Sequence, residues 1–282
     1  MTTSAPPFGT RLAAAVADRG PLCAGIDPHP RLLESWGLDV TPAGLERFAR
    51  TAAEALGGTC AVVKPQSAFF ERFGSAGVAT LERTVADLRA GGALVLLDVK
   101  RGDIGSTSQA YADAYLDPSS PLACDAITAS PFLGFGSLRP MVETAERFGA
   151  GLFVLALTSN PEAATVQAAQ RRGRSVAAEV LDELRVLNVG SEPLGSFGAV
   201  VGATIAGVDA AAGESLAING PLLAPGVGAQ GGTAADVQRI FGDQVGNVLP
   251  SSSREVLAAG PDPRALADAA RRFNDTFRAA WS

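Results

Sequence analysis

LVLLDVKRGDIGSTSQAY, residues 94–111, joins an unbroken apolar run to a cluster of charges. An apolar run without polar alternation is the mark of a strand covered on both faces, as in a parallel sheet. Residues two apart along a strand face the same way, so Asp98 and Lys100 share one face while Leu97 and Val99 share the other. Two opposite charges at a strand end are either a structural ion pair, with Asp103 capping the next helix, or part of a site.

The same alternation of apolar strand and helical pattern extends in both directions. Strands are predicted over 22–27, 60–65, 93–99, 124–129, 151–157, 198–204, 221–226 and 247–250. A first helix carries Phe8, Leu12 and Val16 and stops at Gly20 and Pro21, where it would cover one end of a barrel. Thr41 and Pro42 open a helix that ends at Gly57 and Gly58. Further helices are expected over 75–89, after Ser106, over 137–148, along a stretch broken near 171–174 that reaches Leu187, up to about Leu216, and over 233–241 and 262–280. Eight βα units predict a single (β/α)8 TIM barrel spanning residues 1–282, with residues 1–7 frayed. A doubly wound open sheet is the alternative, but no GxGxxG follows the first strand to support its dinucleotide-binding form.

At 282 residues the chain has the length of one such barrel, and a formal net charge of −6 argues against a general affinity for nucleic acid or anionic membrane. Cys23, Cys60 and Cys124 are widely spaced in apolar segments, which fits buried thiols of a cytoplasmic protein better than a disulfide set or a metal cluster. The N-terminus lacks the pattern of a signal peptide, and no apolar segment has the length of a membrane span. The single histidine, His29, lies between two prolines and is expected in a loop. One histidine cannot build a multi-histidine metal site, so no metal is expected.

Active sites of such barrels lie at the carboxyl ends of the strands. Those ends carry Asp27, Lys64, Asp98 with Lys100, Thr128 with Ser130, and Thr158 with Ser159 and Asn160. The seventh strand runs into APGVGAQGG, residues 224–232, whose backbone N–H groups suit an anion, and the eighth runs into SSSREVL, which places Arg254 alongside. Loops seven and eight frequently hold phosphate in barrels, and guanidinium binds phosphate bidentately. A mobile connection and a surface ion pair are the plain alternatives for these two segments, as capping roles are for Asp27 and Ser159.

DVKRGDIGST follows the pattern D-x-K-x-x-D-I-x-x-T. Together with GIDPHP, VKPQSAFFE, TSNPEA, PGVGAQGG and the late Arg254, it closely resembles the orotidine 5′-phosphate decarboxylase family, in its longer bacterial branch, over nearly the whole chain. The resemblance implies decarboxylation of orotidine 5′-phosphate to uridine 5′-phosphate in pyrimidine biosynthesis, without a cofactor. It implies a charged array of Lys64, Asp98, Lys100 and Asp103, in which Lys100 donates the proton and Asp98 stands beside the leaving carboxylate. It further implies that Asp27 and Lys64 contact the ribose hydroxyls and Ser159 the pyrimidine edge. Gln230 and Arg254 would contact the phosphate, under a glycine-rich lid, and Pro225 would be a further substrate-binding residue. Asp103, Ile104 and Thr107 resemble the segment that crosses a homodimer interface into the neighbour's site.

Two competing readings remain at this point. Metal-dependent sugar-phosphate decarboxylases and aldolases of the same barrel group share D-x-K-x-x-D but carry an acid where Lys64 ends the second strand. A phosphate-binding protein that had lost catalysis should have lost charges of the array, all of which are present. The chain departs from shorter family members in having Ser253 before Arg254, where they have glycine, and in two extended regions, 113–121 and 167–197.

Overall fold

A computed structural model of the chain describes residues 6–203, 214–228 and 231–281. Its strands are β1 (Cys23–Ile26), β2 (Val62–Pro65), β3 (Leu94–Arg101), β4 (Ala126–Ala129) and β5 (Gly151–Leu157), then a small hairpin of β6 (Gln170–Arg171) and β7 (Arg174–Ser175), followed by β8 (Phe197–Val201), β9 (Leu222–Pro225) and β10 (Val248–Ser252). All but the hairpin form a closed barrel of eight strands in the order β1-β10-β9-β8-β5-β4-β3-β2. Every neighbouring pair is parallel, and β10 pairs back onto β1 with Cys23 opposite Ser251. Closure leaves no free edge, so the open-sheet alternative does not apply.

Side-chain alternation explains what each strand contributes. Val95, Leu97 and Val99 point outward into the large core beneath the helices, whereas Leu96 belongs to a second cluster with Cys23, Val62, Ala126, Phe153, Val200, Leu223 and Leu249. That second cluster fills the lower barrel, and Phe8 and Leu12 of the helix Phe8–Arg19 cap it from below. Two residues further along each strand, the same inward face carries Gly25, Lys64, Asp98 and Thr128. The barrel therefore has an apolar floor and a polar mouth.

Local signals account for the helices around it. The helix Pro42–Gly57 starts where Thr41 Oγ1 accepts a 3.2 Å bond from the Gly44 N–H, with proline in its first turn. The helix Ala234–Phe241 opens on a reciprocal capping box between Thr233 and Asp236. Several features differ from expectation, among them the short helices Pro30–Ser35 and Arg254–Leu257. A five-residue helix, Ser67–Glu71, was not anticipated because one turn carries no periodicity. The break near 171–174 is the β6–β7 hairpin, turned by Arg172 and Gly173 with φ of 54° and 78°, as a tight two-residue turn requires. The helix expected up to about Leu216 falls mainly on residues 204–213, and the expected fraying at the N-terminus on residues 1–5; both lie outside the described residues.

Candidate active site

β3 and β4 fall out of register near their carboxyl ends. Leu97 pairs with Ile127, but the next partners are Arg101 and Ala129, so four steps along β3 oppose two along β4. Such a bulge kinks its strand and re-aims side chains. Here it places Lys100 at φ 44°, a left-handed conformation that is uncommon for a residue with a Cβ. The ammonium of Lys100 turns back onto Asp98, with Nζ 2.6 Å from Oδ1. Lys64, almost fully buried on β2, reaches the other oxygen, with Nζ 3.0 Å from Oδ2. Asp98 Oδ1 also accepts a 2.8 Å bond from the Thr128 hydroxyl. One carboxylate is thus shared between two ammonium groups and a hydroxyl.

Burial alone would raise the pKa of Asp98, but the Lys64 and Lys100 charges and the hydrogen bonds from Lys100 and Thr128 hold it well below the usual carboxylate range. Burial alone would lower the pKa of Lys64, but Asp98 and then Asp27 hold it above the usual ammonium range. Both groups are therefore ionised at neutral pH. The Lys100 side chain keeps 45% of its surface exposed, so its charge faces open space.

That space is a cavity of about 430 Å³, lined by Asp27, Lys64, Asp98, Lys100, Ser159, Pro225 and Arg254 among others. Asp27 Oδ1 and Ser252 Oγ are buried without a hydrogen-bond partner among the described residues, which leaves an acceptor and a hydroxyl unmatched beside it. Ser159 comes close to β8 because position 202 is glycine: a Cβ there would sit 3.0 Å from the Ser159 Cβ. Arg254 is exposed at the start of the short helix Arg254–Leu257 and forms no ion pair among the described residues. The Ser253 side chain is accommodated by Gly25, since a Cβ on Gly25 would lie 1.8 Å from Ser253 Oγ. The departure from glycine at 253 is thus matched by a glycine on the adjacent strand β1.

Asp103, Ile104 and Thr107 do not line this cavity. Asp103 Oδ1 accepts a 2.8 Å bond from the Ile104 N–H, while Ile104 is 62% exposed and Thr107 is exposed. Gln230 lies outside the described residues. In the glycine-rich loop the N–H groups of Gly228, Gly231 and Gly232 bond to carbonyls within the loop, so these three are spent on the turn rather than offered to an anion. His29 precedes the helix Pro30–Ser35, as a loop residue, with its ring 4.4 Å from that of Phe69. All three cysteines are buried and unpaired. Sequence reasoning gave no role to Thr128, Thr158 or Gln167. Gln167 Oε1 accepts from the Thr158 N–H at 2.8 Å, and its amide donates to Thr158 Oγ1 at 2.9 Å, bracing the end of β5. A glutamine nine residues from its partner gives no local signal.

These features define a (β/α)8 barrel with an alternating lysine–aspartate–lysine array at the carboxyl mouth. Residues 20–270 match the family model described as Orotidine 5′-phosphate decarboxylase / HUMPS family. A curated Nocardioides orotidine 5′-phosphate decarboxylase is 65% identical over 276 residues, covering 96% of this chain and 99% of the relative. The Streptomyces coelicolor protein of the same name is 60% identical over 275 residues, covering 97% and 98%. A Streptomyces avermitilis crystal structure, provisionally described as an orotidine 5′-phosphate decarboxylase, superposes with a TM-score of 0.95 at 62% identity, covering 99% of this chain and 97% of that one. The Leishmania donovani OMP decarboxylase structure gives 0.73 at 31% identity, covering 96% and 99%. The chain belongs to the orotidine 5′-phosphate decarboxylase/HUMPS family.

Proposed function

We propose that the chain decarboxylates orotidine 5′-phosphate to uridine 5′-phosphate in pyrimidine biosynthesis, without a cofactor. The observation that carries this reading is the Asp98 carboxylate held between Lys64 at 3.0 Å and Lys100 at 2.6 Å on the wall of a cavity. Breaking the bond from C6 to the carboxylate leaves an electron pair in the plane of the pyrimidine ring, where the π system cannot accept it. A fixed positive charge at that point stabilises the developing anion, and a charge already in place costs no reorganisation. Lys100 supplies it. Its Nζ then transfers a proton to C6 as carbon dioxide leaves, and the neutral amine regains a proton from solvent.

Asp98 orients Lys100 through the short contact. It would also stand beside the substrate carboxylate, where its part is either to preorganise Lys100 or to repel that carboxylate in the ground state. Asp27, with its unmatched buried oxygen, and Lys64 suit the ribose hydroxyls. Ser159 suits the pyrimidine edge, Gln230 and Arg254 the phosphate, and Pro225, on the cavity wall, the substrate. Phosphate binding remote from C6 would hold the base against the array. Asp103, Ile104 and Thr107 would complete the neighbouring site of a homodimer. The buried, unpaired cysteines agree with a cytoplasmic setting.

Lys64 separates this reading from the metal-dependent relatives, because an ammonium stands where a metal-binding acid would be needed. Purified protein mixed with orotidine 5′-phosphate and a chelator is expected to lose the absorbance of the 6-carboxylated pyrimidine. Unchanged absorbance overturns the reading. Activity that a chelator abolishes restores the metal-dependent alternative, and ligand binding without turnover identifies a non-catalytic binder.

A further inference from the structure

Thr128 touches two members of the array, Asp98 and Lys100. The β3 bulge takes the N–H of Lys100 away from a regular ladder partner, and Thr128 Oγ1 accepts it at 2.9 Å. The same oxygen lies 2.8 Å from Asp98 Oδ1. Hydrogen accounting fixes the directions of both bonds. A backbone N–H only donates and an ionised carboxylate only accepts, so the hydroxyl receives from Lys100 and gives its proton to Asp98. Thr128 is 1% exposed, so water has little access to replace it.

We infer that Thr128 is a positioning residue for the decarboxylation: its hydroxyl holds the Lys100 backbone in the left-handed turn and locks the Asp98 carboxylate on which the Lys100 ammonium rests. The inference rests on the functional reading above. Lys100 at φ 44° is a strained position that persists only where its surroundings over-determine it. The two bonds from one oxygen supply that constraint. Without them, the Lys100 N–H loses its acceptor and Asp98 loses one of two donors on Oδ1. The distance from Nζ to the reacting carbon then becomes loose, and misplacement of a catalytic group lowers turnover more than binding.

Thr128→Val keeps the shape and removes the hydroxyl, while Thr128→Ser restores it. Thr128→Val is expected to lower kcat about 10- to 100-fold, the range for losing a hydrogen bond to a charged group, with KM within about threefold of wild type. Thr128→Ser is expected to recover kcat to within about threefold. Combined with Asp98→Asn, Thr128→Val should cost clearly less than it does alone, because the two residues act as a unit. Three results each overturn the inference in protein shown to be folded by circular dichroism: kcat of Thr128→Val within twofold of wild type, a loss confined to KM, or Thr128→Ser no better than Thr128→Val. Should wild-type protein itself fail to turn over orotidine 5′-phosphate, the functional reading falls and the positioning claim is decided by a crystal structure of Thr128→Val. Lys100 leaving the left-handed region, or its Nζ leaving Asp98, supports it, and an unchanged array overturns it.

Discussion

At the scale of single residues, the array is held together by charge neutralisation in a place with little water. Asp98 has a depressed pKa, so its contribution to stability is fully present above the ordinary carboxylate value of about 4 and is lost as pH falls through the depressed one. Lys64 has a raised pKa, so its contribution is present below about 10.4 and is lost as pH rises through the raised one. Asp98→Asn removes the shared counter-charge and leaves Lys64 buried without its ion-pair partner, with only the more distant Asp27 to offset it, at a cost of about 3 kcal/mol at neutral pH. In urea unfolding, wild type should lose more stability between pH 5 and pH 3 than Asp98→Asn does; parallel pH dependences would contradict the assigned ion pairing. Lys100 is different because it is half exposed. Lys100→Ala should keep the melting temperature within a few degrees while lowering turnover by about a thousandfold or more, since it removes both the stabilising charge and the proton donor. Near wild-type turnover in that variant would refute the mechanism.

Elements divide the labour between the two ends of the barrel. The helix Phe8–Arg19 closes the bottom: the Phe8 ring lies edge-on to Phe153 with centroids 5.9 Å apart, and a Cβ on Gly151 would meet the Phe8 ring at 2.4 Å. Phe8→Ala empties that packed floor and should cost about 3–5 kcal/mol in chemical unfolding, while kcat at a permissive temperature stays near wild type. A fall in kcat without a fall in stability would mean that floor and mouth are not independent. The strands were legible because both of their faces are covered, which leaves runs such as GLFVLAL unbroken by polar residues. The pairing of Asp98 with Lys100 was legible from strand period alone, and the bulge preserved it. The bulge itself was not legible, because register depends on the partner strand. For the same reason the double role of Thr128 was hidden: its two bonds run to residues 28 and 30 positions away. The two extended regions resolve as the last turn of the helix Gly105–Leu116 with the loop ahead of β4, and as the β6–β7 hairpin with its following helix; neither has a chemical role that the sequence suggests.

For the whole molecule, Asp103 is the residue that would link one chain to a second. Within one chain it lies outside the cavity and bonds to its neighbour's N–H, as a plain turn residue would. Its own loop and the loop bonded to it both expose apolar side chains. Ile104, Phe132 and Leu133 are 62%, 73% and 52% exposed, and the two loops that carry them are joined by the Ser130 N–H bonding to the Arg101 carbonyl at 2.8 Å. Exposed apolar side chains of this kind suit a contact surface, and in the proposed homodimer a two-fold interface would place the same loops of a second copy against them. If Asp103 serves the partner's site, Asp103→Ala and Lys100→Ala damage different sites of a mixed dimer. One site then carries both lesions and the other carries neither. Random pairing of equal amounts gives half mixed dimers, each with one sound site in two, so co-expression should return about a quarter of wild-type activity. Each variant alone should stay near its own low rate. If Asp103 acts in its own chain, every mixed dimer has one lesion per site, and the mixture shows no more than the average of the two parents. Activity at that average, from mixed dimers separated by two affinity tags, would return Asp103 to the role of a helix-start residue.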